Sequence, residues 1–142
     1  MAAMTPALIR TRLMTLVEDV DPGLVRSQHA FSLAHQSNLV VDNSYTLEAE
    51  RINERSQTAN VTARLDRVTL TIARKLNMDS EAAIRALDDV LDDVDRRVRQ
   101  DGVSQGYHMW PGTSRVVRPE AKDYCLGSLV WTCDYDFLET VA

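Results

Sequence analysis

The chain has 142 residues, 44% hydrophobic and 26% charged, with a formal net charge of −5. That is the size and balance of a single soluble globular domain spanning residues 1–142, and it excludes collagen-like, disulfide-rich and strongly disordered classes. The negative balance gives no electrostatic support to a general nucleic-acid-binding role.

Taken in chain order, Thr5 and Pro6 predict the cap and first turn of a helix. Leu8, Ile9, Leu13, Leu16 and Val17 give it one apolar face, with Arg10 and Arg12 pointing outward. Those arginines and the acids that follow also argue against a signal peptide. Asp21-Pro22-Gly23 ends the helix. Between Leu24 and Val41, Phe31 and Leu33 alternate with small residues as in a short strand, and Asp42-Asn43 reads as a turn. Tyr45, Leu47 and Ala49 alternate with Thr46, Glu48 and Glu50, a half-buried strand. Arg51 to Asn60 is polar and nearly free of apolar residues, and reads as a long hairpin loop.

From Val61 the alternation returns. Val68, Leu70 and Ile72 take one face, and Arg67, Thr69, Thr71 and Ala73 the other. Ile84, Leu87, Leu91, Val94 and Val98 then step at helical spacing. Opposite charges on the outer face suggest the pairs Asp92–Arg96, Asp93–Arg97 and Asp95–Arg99. Gly102 is expected to end this helix, and Val103 to Gly112 to form a loop carrying Tyr107, His108 and Trp110. Arg115 to Arg118 is expected as a short edge strand closed by Pro119. Ser128 to Leu138 has the strongest strand pattern, with Leu129, Trp131, Cys133, Tyr135 and Phe137 on one face. Helix, strands, helix and strand in this order predict an α+β fold. Its antiparallel or mixed sheet has an N-terminal helix and a long central helix packed on one face.

No run of about 18 apolar residues is present to span a membrane. Cys125 and Cys133 are the only cysteines. They form neither a disulfide framework nor a CxxC pair, which suits a reducing cytoplasm. The acids Asp88, Asp89, Asp92, Asp93 and Asp95 lack the histidine, glutamate or glycine of a metal motif and read as a solvated helix face. Glu48, Glu50, Asp66, Asp134 and Asp136 can share a polar sheet face, and a metal-dependent enzyme built on sheet carboxylates is the alternative they raise. A Cys–His nucleophile using His29, His35 or His108 has no supporting motif. No phosphate loop, catalytic set, cofactor site or metal site is expected. A small oligomeric adaptor using the Tyr107–Trp110 segment is a third reading.

The element order resembles the tail terminator proteins of long-tailed bacteriophages. It runs through the helix Pro6–Val17, the strand and polar hairpin Tyr45–Asn60, the strand Val61–Arg74, a helix opened by DSEAAIRAL, and a final strand LVWTCDYDFLE. The resemblance implies a structural virion protein rather than an enzyme. It implies a closed ring, usually hexameric, that caps the tail tube at the head–tail junction. It implies contact with the tail tube protein on one side and with a head-completion or connector protein on the other. DNA would pass through its lumen, and assembly would occur in the host cytoplasm. The chain carries fourteen arginines against two lysines. A GC-rich genome accounts for such a ratio, but guanidinium forks also suit partner carboxylates. Arg51, Arg55, Trp110, Arg115 and Arg118 are the expected contact residues, chosen for exposure and chemistry.

Overall fold

A computed structural model describes residues 5–26, 43–58, 60–75, 80–117 and 124–138. The first helix, α1 (Pro6–Val20), starts as its sequence predicts. Thr5 accepts a hydrogen bond from the Leu8 amide at 3.1 Å, and Pro6 sits in the first turn. Ile9, Leu13 and Val17 are its buried stripe. The Asp21 carbonyl accepts from the Leu24 amide and its side chain from the Gly23 amide, which closes the turn after the helix.

The short strand β1 (Val25–Arg26) runs parallel to the start of β2 (Ser44–Ser56). Asn43, with φ of 56°, makes the turn into β2. β2 then pairs antiparallel with β3 (Val61–Lys75). After α2 (Ser80–Gln105) come β4 (Tyr107–Val117) and β5 (Tyr124–Leu138). The sheet order is β1-β2-β3-β5-β4, and every pairing but the first is antiparallel. The fold is therefore α+β with a mixed sheet, an N-terminal helix and a long central helix. Among the described residues no helix is long and apolar enough to cross a membrane.

Both helices pack on the same face of the sheet. Ile9, Leu13 and Val17 join Leu87, Leu91, Val94 and Val98 over Tyr45, Val68, Leu70, Ile72, Leu129 and Trp131 in one buried cluster. The parity of the strands decides this arrangement, because alternate side chains point to opposite faces. Gly127 lets α2 approach closely: a Cβ there would lie 3.0 Å from Leu87 and Leu91.

Three elements differ from the sequence expectation. The polar stretch 51–60 is not a long loop. β2 continues to Ser56, and the chain turns back just after it, with the Gln57 and Thr58 amides donating to the Val61 carbonyl. This end of the hairpin runs past the helices, so neither face needs apolar residues and no alternation marks it. Secondly, α2 does not stop at Gly102 but runs to Gln105. The stop is Gly106, whose φ of 98° is left-handed and whose amide donates to the Gly102 carbonyl. Gly102 serves close packing instead, since a Cβ there would meet the Tyr107 carbonyl oxygen at 2.5 Å.

Thirdly, residues 107–112 are strand rather than loop, so the edge strand is longer than Arg115–Arg118. Pro111 and Gly112 sit where the register to β5 shifts, between Pro111 and Ser114. A bulge on an edge strand tolerates both residues. The strand expected around Phe31 and Leu33, and the positions of Arg118 and Pro119, lie outside the described residues.

Candidate functional site: the open sheet face and its edges

The covered face is anchored by carboxylates. Tyr45 donates to Glu18 at 3.1 Å, Trp131 to Asp95 at 2.8 Å, Tyr135 to Asp66 at 2.8 Å, and Tyr107 to Asp101. Arg12 completes the last set through both Asp101 oxygens. Burial pushes the Asp101 carboxyl up, but hydrogen bonds from Arg12 and Tyr107 outweigh it and leave it below the ordinary range. Burial, then the bond to Asp66, raises Tyr135 to about 12. Burial, then the bond to Glu18, does the same for Tyr45. Burial, reinforced by Asp66, lifts the Cys133 thiol to about 12. Both cysteines are buried, as the register of Cys133 predicts, and neither is poised as a thiolate nucleophile.

Arg51 belongs to this covered face. Its Nε donates to Asp66 at 3.1 Å, an ion pair within the protomer that leaves the Arg51 side chain partly exposed. Asp66 therefore does not join the acids of the opposite face, contrary to the sequence expectation. The helix pairs also differ in part. Asp93 takes both Arg96 and Arg97, Asp95 pairs with Arg99, and Asp92 does not pair with Arg96.

Neither α1 nor α2 packs on the opposite face, where Ser44, Thr46, Ala73 and Tyr124 are buried at one end and the residues toward the β2–β3 hairpin are half-buried or exposed. Cross-strand register sets its rows: Glu50, Arg67, Thr132 and Trp110 form one, and Asn53, Leu65, Asp134 and His108 the next. Trp110 is 53% exposed and stands edge-on to His108, ring centroids 4.2 Å apart. Glu50 lies 3.7 Å from Arg67, a loose and solvated pair. Arg55 and Arg115 are exposed on this face and have no ion partner among the described residues. Of the expected contact residues, the structure thus gathers Arg55, Trp110 and Arg115 on one face, turns Arg51 to the other, and leaves Arg118 outside the described residues.

Glu48, Glu50, Asp134 and Asp136 do share the open face. β3 separates the first two from the last two, a span of about 9.6 Å between strands. Among the described residues, no three His, Cys, Asp or Glu side chains converge as a metal set. Chemically the face offers guanidinium groups, carboxylates, hydroxyls and one exposed indole, which is the inventory of a polar protein contact.

Sequence reasoning missed the anchoring acids Glu18, Asp66, Asp95 and Asp101. One signal was present: a Tyr or Trp on a strand's apolar register needs a hydrogen-bond acceptor when buried. With the geometry in place, comparison with known proteins adds no relative: no protein-family model matches the chain, and no curated protein matches it.

Proposed function

We propose that this is a structural assembly protein of a long-tailed phage, a tail terminator that closes into a ring at the head–tail junction. The observation that carries the reading is the order of elements around a sheet that packs both helices on one face. A capped N-terminal helix is followed by a long hairpin, a central helix and two strands. Both helices cover one face, while Glu48–Ser56 of β2 and His108, Trp110 and residues 112–115 of β4 are exposed along the outer strands. Exposed outer strands with an exposed tryptophan have the character of a contact surface rather than of a catalytic cleft. In this reading the ring, a hexamer, seats on the tail tube protein and meets a head-completion or connector protein, with DNA passing through its lumen.

Light scattering after size-exclusion chromatography, run alone and with assembled tail tubes, tests the reading. A discrete ring, formed alone or on the tubes, is expected. A chain that stays monomeric at every concentration and does not bind tubes overturns it.

A further inference from the structure

The strands of the sheet alternate in direction from β2 through β3 and β5 to β4, so its two long outer strands run antiparallel to each other. β1 pairs only with Ser44 and Tyr45 of β2. From Glu48 to Ser56, β2 is exposed. On β4, His108, Trp110 and residues 112–115 are exposed as well. Each outer strand thus presents backbone N–H and C=O groups that pair with no strand among the described residues. Building on the ring reading above, we infer that these edges are the two halves of one subunit contact, with β4 of one copy lying antiparallel along β2 of the next.

Polarity is the first support. A rotation about an axis along the strands brings β4 beside a neighbour's β2 with the antiparallel order continued. Such a contact is head-to-tail, and it closes into a ring when the rotation divides the circle.

Charge is the second. β4 carries Arg115 and no acid, whereas the open face of β2 begins with Glu48 and Glu50. In the sheet's own rows Arg115 is level with Thr46, through Ser128 and Thr71. Trp110 is level with Glu50, through Thr132 and Arg67. A stagger of two residues between copies sets Arg115 beside Glu48, and the same stagger moves Trp110 from the row of Glu50 to that of Asn53, next to Ile52 in the β2 bulge. Ile52 is the exposed large apolar residue of β2, as Trp110 is of β4. One shift therefore makes the ionic pair and brings the two exposed apolar residues near each other.

A two-fold pairing of β4 with itself offers Arg115 no carboxylate. A two-fold pairing of β2 with itself offers Glu48 the held Arg51 and the distant Arg55. The bulges, between Arg51 and Asn53 on β2 and between Pro111 and Ser114 on β4, break the ladder into short stretches. Such interruptions restrain edge-to-edge growth without limit.

Cysteine cross-linking tests the contact, because both native cysteines are buried and engineered ones report alone. The double variant Glu48→Cys/Arg115→Cys, treated with a short bis-maleimide, is expected to give a ladder beyond the dimer that ends at the ring's mass. Dimers only, or no cross-links under conditions where the wild type is associated, overturn the proposal. Charge reversal gives a second arm. Arg115→Glu and Glu48→Arg are each expected to weaken association about tenfold, and their equimolar mixture to regain it by alternating copies. Unchanged rings in both single variants, or a mixture that stays dissociated, dispose of the edge contact while the ring reading stands. A wild type that is monomeric with and without tubes, and gives no ladder, removes both.

Discussion

The two faces of the sheet solve opposite problems with similar residues. On the covered face, four buried aromatics each donate to a carboxylate, and those carboxylates come from α1, α2 and β3. On the open face, Trp110 makes no such bond among the described residues but leans on His108, and the nearest charge pair is the loose Glu50–Arg67. Burial makes the difference. Leaving a polar tip unpaired in the interior costs about 1–3 kcal/mol, so each interior aromatic needs its acid. In water the same tip is satisfied without a partner. Carboxylates on the covered face therefore hold the fold together, while those on the open face remain available for contacts between molecules.

Four measurements break or sharpen this contrast. Trp131 is fully buried and bonded to Asp95, so Trp131→Ala should cost about 3–5 kcal/mol in denaturant unfolding. A loss below about 1 kcal/mol would show that the covered face is not the stabilising one. Asp101→Ala should cost about 2 kcal/mol, a value reduced because Arg12 reaches partly into solvent. Tyr107→Phe in the same background should then add little, since the shared acceptor is already gone.

The next effect is on pH dependence. Tyr45 and Tyr135 have folded-state values raised to about 12, against an ordinary value near 10. Their contribution is therefore complete below about pH 10 and is lost as pH rises toward 12. Asp101 runs the other way, because its folded value is lowered. Its contribution is present above about pH 4 and is lost as pH falls further, through that lowered value. Tyrosinate absorbance and circular dichroism recorded together should show ionisation coinciding with unfolding. Free titration of all four tyrosines near pH 10 would contradict the buried network. The smallest effect belongs to the open face: Trp110→Ala should change stability by less than about 0.5 kcal/mol while weakening self-association.

How much of this was legible depended on whether a segment had one wet and one dry face. α1, the middle of β3, α2 and the end of β5 all do, and their apolar positions alone predicted both element and orientation. The far end of β2 is wet on both sides, so its strand is invisible to hydrophobic patterning and rests on pairing with β3. β4 was hidden by Pro111 and Gly112, which ordinarily signal a turn and here mark a bulge. Gly102 misled for a related reason. It is a space-making residue inside a helix, and sequence does not distinguish that role from a helix stop. Among the expected contact residues, exposure was read correctly for Arg55, Trp110 and Arg115. Arg51 is exposed as well, but its pairing with Asp66 lies across strands, in a register that only the folded sheet reveals.

The anchoring acids also bear on how α2 docks. Asp95 and Asp101 sit on the same rod and reach Trp131 and Tyr107 on two different strands. Sliding the helix by one turn, about 5.4 Å, preserves much of its apolar stripe, because leucines and valines substitute for one another at similar spacing. The same slide carries both carboxylates away from their donors at once. The apolar stripe supplies attraction at several positions, and the two acids act as a vernier that selects one of them.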